Sequence, residues 1–188
     1  MPRPPILPVP DRKAIFESGL EWHVWLEQAE DPSQAEKMLA LLNELVLADQ
    51  TVKKLKALTR PVHVIAIAES WCGDVIRHTP LLMKLASCSA NLHVRFITRA
   101  QYPDFFARFL TNGGEAIPKY VFCSEEFVEV GNWGPMSSTP RKMIALGKAC
   151  GQGGEARKHV STFYNTNVRK EATNELVDLF ETACFTGF

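Results

Sequence analysis

The chain has 188 residues, of which 46% are hydrophobic, and its 21 basic residues balance its 21 acidic residues. This length and composition are typical of a globular domain with a substantial core, and the balanced charge argues against a protein that binds nucleic acid by electrostatic attraction. No stretch approaches the roughly 20 apolar residues of a membrane-spanning helix, and the proline-rich amino terminus lacks the apolar segment of a signal peptide.

The amino-terminal third is predicted to be helical after a short arm. Five prolines within residues 1–10 exclude a helix there. Apolar residues at helical spacing predict one helix over residues 11–29 and a second over residues 31–55. Trp22 and Trp25 share a face of the first helix, so they are the expected anchors of this pair on its neighbour.

The middle of the chain alternates between strand and helix patterns. Residues 62–68 form a short apolar run with β-branched side chains, which indicates a buried strand, and a helix is predicted to begin at Cys72. Residues 91–99 predict a second strand, parallel to the first. A short helix, two hairpin strands and another helix follow, at residues 102–110, 119–124, 127–131 and 139–150. The resulting order is βαβαββα.

Two further helices are predicted near the carboxyl terminus, over residues 155–164 and 168–185. They follow a glycine-rich break at residues 151–154. We expect them to pack with the amino-terminal pair as a helical layer.

Cys72 lies where a strand ends and a helix begins. Unpaired amide groups and the positive end of the helix dipole favour an anion at that place, so a thiolate is stabilised there. The five cysteines are widely spaced in a chain for which we predict no export signal, which indicates free thiols in the reducing cytoplasm.

Three motifs carry a resemblance to a known family. The sequence WCGDV at residues 71–75, followed by Pro80, resembles the active-site loop and kinked first helix of thioredoxin-like proteins, whose usual motif is WCGPC. The sequence NGGEAIPKYVF at residues 112–122 resembles the segment that holds their cis-proline, which would be Pro118 here. VGNWGP at residues 130–135 resembles the loop that closes the other side of the groove. The set is most similar to small bacterial thioredoxin-like proteins with a WCGDC motif.

The resemblance implies an α/β thioredoxin-like fold, with a four-stranded mixed sheet and three flanking helices over residues 59–150. Residues 1–58 would then be an arm and a helical extension, and residues 151–188 a second helical extension. The amino-terminal helices are either a packing layer over an edge or face of the core, or a hairpin for dimerisation or partner docking. A homodimer is therefore one of the expected assemblies.

The resemblance also implies a site. Cys72 is the candidate catalytic residue. The residues expected to bind substrate around it are Trp71, Gly73, Asp74, Ile117, Pro118 and Trp133. The chain has no local CxxC or Cys/His spacing, so we expect neither a metal nor another cofactor.

Two departures from the family pattern bear on activity. Thioredoxins carry a second cysteine three residues after the first, which resolves the mixed disulfide, but this chain has Val75 there. They also bury an aspartate six residues before the first cysteine, and that position is Ala66. The nucleophile is therefore retained without the dithiol machinery.

No other cysteine is predicted to replace the missing one. Cys88 lies 16 residues after Cys72 and so about 24 Å further along if the helix continues. Cys123 lies about 16 Å beyond the proline on its strand. Cys150 and Cys184 are on later helices that the sequence does not place.

The sequence is compatible with two functions. In the first, Cys72 exchanges disulfides with protein or low-molecular-weight thiol substrates, and an external thiol completes the cycle. In the second, redox activity is lost and the groove beside Trp71 and Pro118 binds an extended peptide. A metal cluster held between two subunits is a third hypothesis that no spacing supports. Of the histidines, we expect His78 at the surface and His63 and His93 in structural positions.

Overall fold

The structure is a computed structural model that describes residues 7–166 and 168–187. Its helices are α1 (Arg12–Ser18), α2 (Trp22–Glu27), α3 (Pro32–Glu44), α4 (Asp49–Lys56), α5 (Gly73–Ala86), α6 (Pro103–Phe106), α7 (Ser138–Ala149), α8 (Gly153–Thr166) and α9 (Val168–Phe185). Its strands are β1 (Val62–Ile67), β2 (Leu92–Ile97), β3 (Lys119–Cys123) and β4 (Glu129–Trp133). A short 3-10 helix, Ala107–Phe109, continues α6.

The four strands form one mixed sheet in the order β2-β1-β3-β4. Strand β1 runs parallel to β2 and antiparallel to β3, and β3 runs antiparallel to β4. The predicted order βαβαββα is therefore confirmed from β1 to α7. Strand β1 is buried along its length except at His63, which fits a central strand covered on both faces.

The prediction of one helix over residues 11–29 is wrong, because the chain turns between α1 and α2. Leu20 exchanges two backbone hydrogen bonds of 2.9 Å with Phe96, on the outer edge of β2. A side chain at Gly19 would meet the Cβ atom of Arg95 at 2.8 Å, so only glycine fits this close approach. The turn thus protects an otherwise open sheet edge.

The two tryptophans anchor this turn on the core. The Trp25 ring stacks on Phe96 with centroids 4.7 Å apart, and Trp22 packs against both rings at 5.5 Å. The amino-terminal extension therefore packs against the core at β2, which is one of the two roles considered for it. The second predicted helix, over residues 31–55, is also divided, into α3 and α4.

The carboxyl-terminal helices differ from the expected helical layer. Helix α9 packs on the sheet and contacts α5, α4 and α8, whereas α8 packs mainly on α7. The buried residues Leu176 and Phe180 belong to the main core, and the Phe180 ring meets Phe122 of β3 edge-on at 5.1 Å. The extension thus completes the core instead of covering it from outside.

Helix α9 also fixes the start of α7 through a glutamate. The carboxylate of Glu171 accepts hydrogen bonds from the hydroxyls of Ser137, Ser138 and Thr139 and from the Thr139 amide, at 2.8–3.1 Å. Burial alone would raise the pKa of Glu171, but the hydrogen bonds from Thr139, Ser138 and Ser137 outweigh it and lower that pKa. Glu171 therefore accepts hydrogen bonds from four donors at the amino end of α7, while the Ser138 amide donates to Glu175 at 2.9 Å.

Replacing Glu171 by glutamine is expected to lower the free energy of unfolding by about 1–2 kcal/mol at neutral pH, because it removes the charge that these donors face. A group with a depressed pKa stabilises the fold above its usual value, here 4.5, and this contribution is lost as the pH falls through the folded-state pKa. The free energies of unfolding of Glu171→Gln and of the unmodified protein, measured with urea, should therefore become more similar as the pH falls through the folded-state pKa of Glu171. Asp178→Asn, on the exposed side of α9, is the control, and equal effects of both changes would contradict this account.

Candidate active-site cysteine and its groove

Cys72 is the residue that immediately precedes α5, as predicted. Its side chain is half-buried, and its Sγ atom lies 3.5 Å from the carbonyl oxygen of Ile117. The Cys72 carbonyl accepts the first hydrogen bond of the helix, from Ile76. The thiol thus lies at the positive end of a 14-residue helix and remains accessible from one side.

The segment opposite Cys72 contains the cis-proline that the resemblance implied. The Ile117–Pro118 peptide is cis, and a second cis peptide joins Gly134 to Pro135. The two loops are in backbone contact, since a Cβ atom added at Gly134 would lie 2.0 Å from the Pro118 oxygen. The buried ammonium of Lys119 donates to the Gly134 oxygen at 2.7 Å. Burial, with a smaller contribution from Arg141, lowers the pKa of Lys119 to about 8.

The predicted groove residues divide into an exposed set and a supporting set. Trp71 is 50% exposed, Gly73 is exposed and Asp74 is half-buried, so these three border the open side of Cys72. Burial raises the pKa of Asp74, with Arg77 opposing it. The side chains of Ile117 and Pro118 are buried behind the thiol.

Trp133 belongs to the supporting set. It is 3% exposed and stacks on Tyr120 with centroids 5.5 Å apart, and its indole N–H donates to Glu175 of α9 at 2.7 Å. Trp133 lies at the end of β4 instead of in a loop, and it packs beneath α5 through an edge contact to His78.

The prediction that His78 is at the surface is wrong, because α8 covers this face of α5. His78 is 1% exposed, and its Nε2 atom lies 3.3 Å from the hydroxyl of Tyr164. Burial lowers the pKa of His78 to about 3, so its ring is neutral. The guanidinium of Arg77 lies 4.3 Å above the Tyr164 ring. The carboxyl-terminal extension therefore forms one wall beside the site helix.

A pair of hydroxyls occupies the region where the family buries an aspartate. Ala66 of β1 is paired with Tyr120 of β3, and the Tyr120 hydroxyl lies 3.0 Å from that of Thr79 on α5. Both residues are fully buried. Burial raises the pKa of Tyr120, so its hydroxyl stays protonated. The polar group beneath the site is thus neutral.

Sequence reasoning missed one charged residue of the site. Arg99 follows β2, and its guanidinium lies 5.5 Å from the centre of the Trp71 ring while donating to Glu69 at 2.8 and 3.1 Å. The hydrogen bond to Glu69 is the main cause that raises the pKa of Arg99, and Cys72 contributes a smaller effect. The sequence could have indicated Arg99, because the carboxyl ends of neighbouring parallel strands meet at one edge of a sheet. Arg99 is at the end of the second predicted strand, and Cys72 follows the first.

All five cysteines lie in the described ranges and all are free. Cys88 lies beyond the far end of α5, where burial raises its thiol pKa, and Cys184 is buried in the core. Cys123 is fully buried, which raises its pKa to about 12. Cys150 follows α7 and is exposed. Cys72 therefore has no disulfide partner in the chain.

In residues 7–166 and 168–187, no group of three or more histidine, cysteine, aspartate or glutamate side chains is arranged to hold a metal ion. None of the helices in these ranges combines the length and apolar character that crossing a bilayer requires.

Comparison with known proteins identifies the family. Two solved structures are similar over nearly the whole chain. One is a protein of unknown function from Pseudomonas aeruginosa, with 15% identity and a TM-score of 0.70 over 92% of this chain and 98% of that chain. The other is an HIV epitope-scaffold, with 16% identity and a TM-score of 0.69 over 90% of this chain and 96% of that chain. At these identities the likeness concerns the fold alone.

No curated protein is significantly similar to the chain. The model of a protein family described as thioredoxin matches residues 19–150, which is well over half of the chain and includes Cys72, Pro118 and Trp133. On that match, the chain belongs to the thioredoxin family.

Proposed function

We propose that the protein exchanges disulfides through the single thiol of Cys72. The observation that supports this most strongly is the position of that sulfur. It is half-buried at the amino end of α5 and lies 3.5 Å from the Ile117 carbonyl, beside the cis-proline. All five cysteines are free, and none of the other four pairs with Cys72, so the thiol would act without an internal partner.

The exchange consists of two balanced steps. The Cys72 thiolate attacks one sulfur of a substrate disulfide, a new sulfur–sulfur bond forms to Cys72, and the second substrate sulfur leaves as a thiolate. An external thiolate then attacks the substrate sulfur of this mixed disulfide and releases Cys72. The external thiol supplies the electrons, and the net change is one substrate disulfide exchanged for another. Substrates would be protein disulfides or low-molecular-weight disulfides in a reducing cytoplasm.

The test is turnover of a mixed disulfide between a small thiol and a peptide, with excess small thiol as the second reactant. The unmodified protein is expected to accelerate release of the peptide thiol above the rate without protein. A protein that gives no acceleration, with a Cys72 thiol no more reactive than that of a free cysteine, would contradict the proposal.

Introducing a cysteine at Val75 is expected to restore an internal disulfide. Residue 75 is the third residue of α5 and faces the interior, and positions i and i+3 across a first turn come within bonding distance. Val75→Cys should therefore lose two thiols reversibly under mild oxidation, as counted by alkylation and mass spectrometry. The same change in a Cys72→Ser background is the control. If Val75→Cys alone does not oxidise, the placement of this loop is wrong.

A second function is favoured by the exposure of Trp71. A half-exposed tryptophan beside the buried cis-proline segment gives the groove an aromatic anchor for an extended peptide, with main-chain pairing beside Pro118. A binding module of this kind needs Trp71 but no thiol. Peptide binding that is lost in Trp71→Ala and unchanged in Cys72→Ser, without exchange activity, would favour this function over the first.

A further inference from the structure

Arg99 lies where three segments of the site meet. It follows β2, which is paired in parallel with β1, so its backbone lies beside the residues that lead from β1 to Cys72. Its Nε and Nη2 atoms donate to the two carboxylate oxygens of Glu69 at 3.1 and 2.8 Å, and its amide approaches the same group at 3.4 Å. This two-pronged geometry fixes the orientation of the guanidinium.

The remaining edge of the guanidinium faces the cis-proline loop. Its Nη1 atom lies 3.5 Å from the Glu115 carbonyl oxygen and 3.4 Å from the Glu115 carboxylate. Glu115 comes three residues before Pro118, whereas Glu69 comes three residues before Cys72. One side chain thus connects the loop that carries the thiol to the loop that carries the proline.

The same group holds a positive charge next to the exposed aromatic ring of the groove. The guanidinium carbon lies 5.5 Å from the centre of the Trp71 ring. The Arg99 side chain is only 27% exposed and that of Glu69 15%, so solvent screens this pair less than a surface pair. Glu69 neutralises much of the guanidinium charge at the Nε and Nη2 edge. The Glu115 contact is longer, and its carboxylate is 69% exposed, so the Nη1 edge is only weakly paired.

We infer that Arg99 is a positioning residue for Cys72, which holds the thiol loop against the cis-proline loop and offers the groove a weakly paired guanidinium edge, at Nη1, that favours disulfides carrying a carboxylate. This inference rests on the proposed function, because it concerns the reactivity of the same thiol. It adds a substrate class, namely disulfides with an anionic group close to the reacting sulfur.

The test compares two small disulfides that differ in charge, dithiobis(nitrobenzoate), which is anionic, and dithiodipyridine, which is neutral. Rates of Cys72 modification are measured in the full chain with Cys150→Ser, which removes the exposed competing thiol. Arg99→Gln is expected to slow the anionic reagent about tenfold and the neutral one about threefold, since removing a charge mainly affects a charged reactant. Arg99→Lys keeps the charge and should restore the ratio of the two rates.

Arg95→Gln is the matched control, because Arg95 lies on β2, four residues before Arg99, and pairs with Glu21 at 2.9 Å, away from Cys72. It should change neither rate. Glu69→Gln is a second variant that breaks the two-pronged pairing but keeps the Arg99 charge, and it should raise the ratio of the anionic to the neutral rate. It therefore tests the inference even if Arg99→Gln does not fold.

An unchanged ratio in both Arg99→Gln and Glu69→Gln would overturn the inference, and so would equal effects of the Arg99 and Arg95 changes. The proposed function itself would be contradicted by a separate observation. That observation is that Cys72, with Arg99 and Glu69 unchanged, reacts with both reagents no faster than a free cysteine.

Discussion

Cys72→Ser is expected to reduce disulfide exchange to the rate measured without protein. A serine hydroxyl is not ionised at neutral pH and does not form the mixed disulfide, so the first step is removed altogether. The effect on folding should be small, about 0.5 kcal/mol or less, because serine is close to cysteine in size and the half-buried thiol has one long hydrogen bond, to the Ile117 carbonyl. The measurement is release of a peptide thiol from its mixed disulfide in the presence of excess small thiol.

Cys150→Ser is the matched control for this change. Cys150 is a free and exposed thiol at the end of α7, outside the site, so its replacement should leave the exchange rate unchanged. If Cys72→Ser keeps a substantial fraction of the rate, or if Cys150→Ser removes it, Cys72 is not the nucleophile.

Gly134→Ala is expected to have the largest effect on stability, a loss of roughly 3 kcal/mol or more in the free energy of unfolding. Two independent features require glycine here. Its φ angle of +119° lies in a region that other residues rarely adopt. A Cβ atom would also lie 2.0 Å from the Pro118 oxygen, and both partners are backbone, so neither loop can yield without moving the cis-proline segment. Urea unfolding monitored by far-ultraviolet circular dichroism measures the loss.

Gly154→Ala is the control for the glycine effect. Gly154 lies in the first turn of α8 and nothing would be within 4 Å of an added Cβ atom. Alanine is the better helix former there, so this variant should be unchanged or slightly more stable. The contact between the two proline loops would be contradicted if Gly134→Ala were as stable as Gly154→Ala.

The parts of the fold that were predicted correctly are those set by local sequence. The apolar run before Cys72 and the helix after it need only the pattern of neighbouring residues, and Pro118 was identified by a short motif. The turn at Leu20 was missed because it is formed by pairing with the edge of β2, 76 residues away along the chain, while its own sequence is compatible with a helix. Its conformation is decided by tertiary contacts.

The residues of the candidate site, whose role stays a prediction, divide in the same way between local motifs and tertiary contacts. Cys72, Trp71 and Pro118 come from motifs, whereas the burial of His78 and Trp133 depends on α8 and α9. Periodicity predicted both helices but contained no information on where they pack. Arg99 follows a predicted strand and could have been proposed from the topology alone.

The most direct measurement of the central claim is a competition between Cys72 and Cys150 within the same molecule. The unmodified protein is treated briefly with less than one equivalent of a small disulfide, the adduct is located by peptide mass spectrometry, and excess free thiol is then added. The expected result is an adduct almost entirely on Cys72 that the free thiol releases completely. An adduct shared equally between the two cysteines, or found mainly on Cys150, would show that the position of Cys72 at the start of α5 gives it no special reactivity.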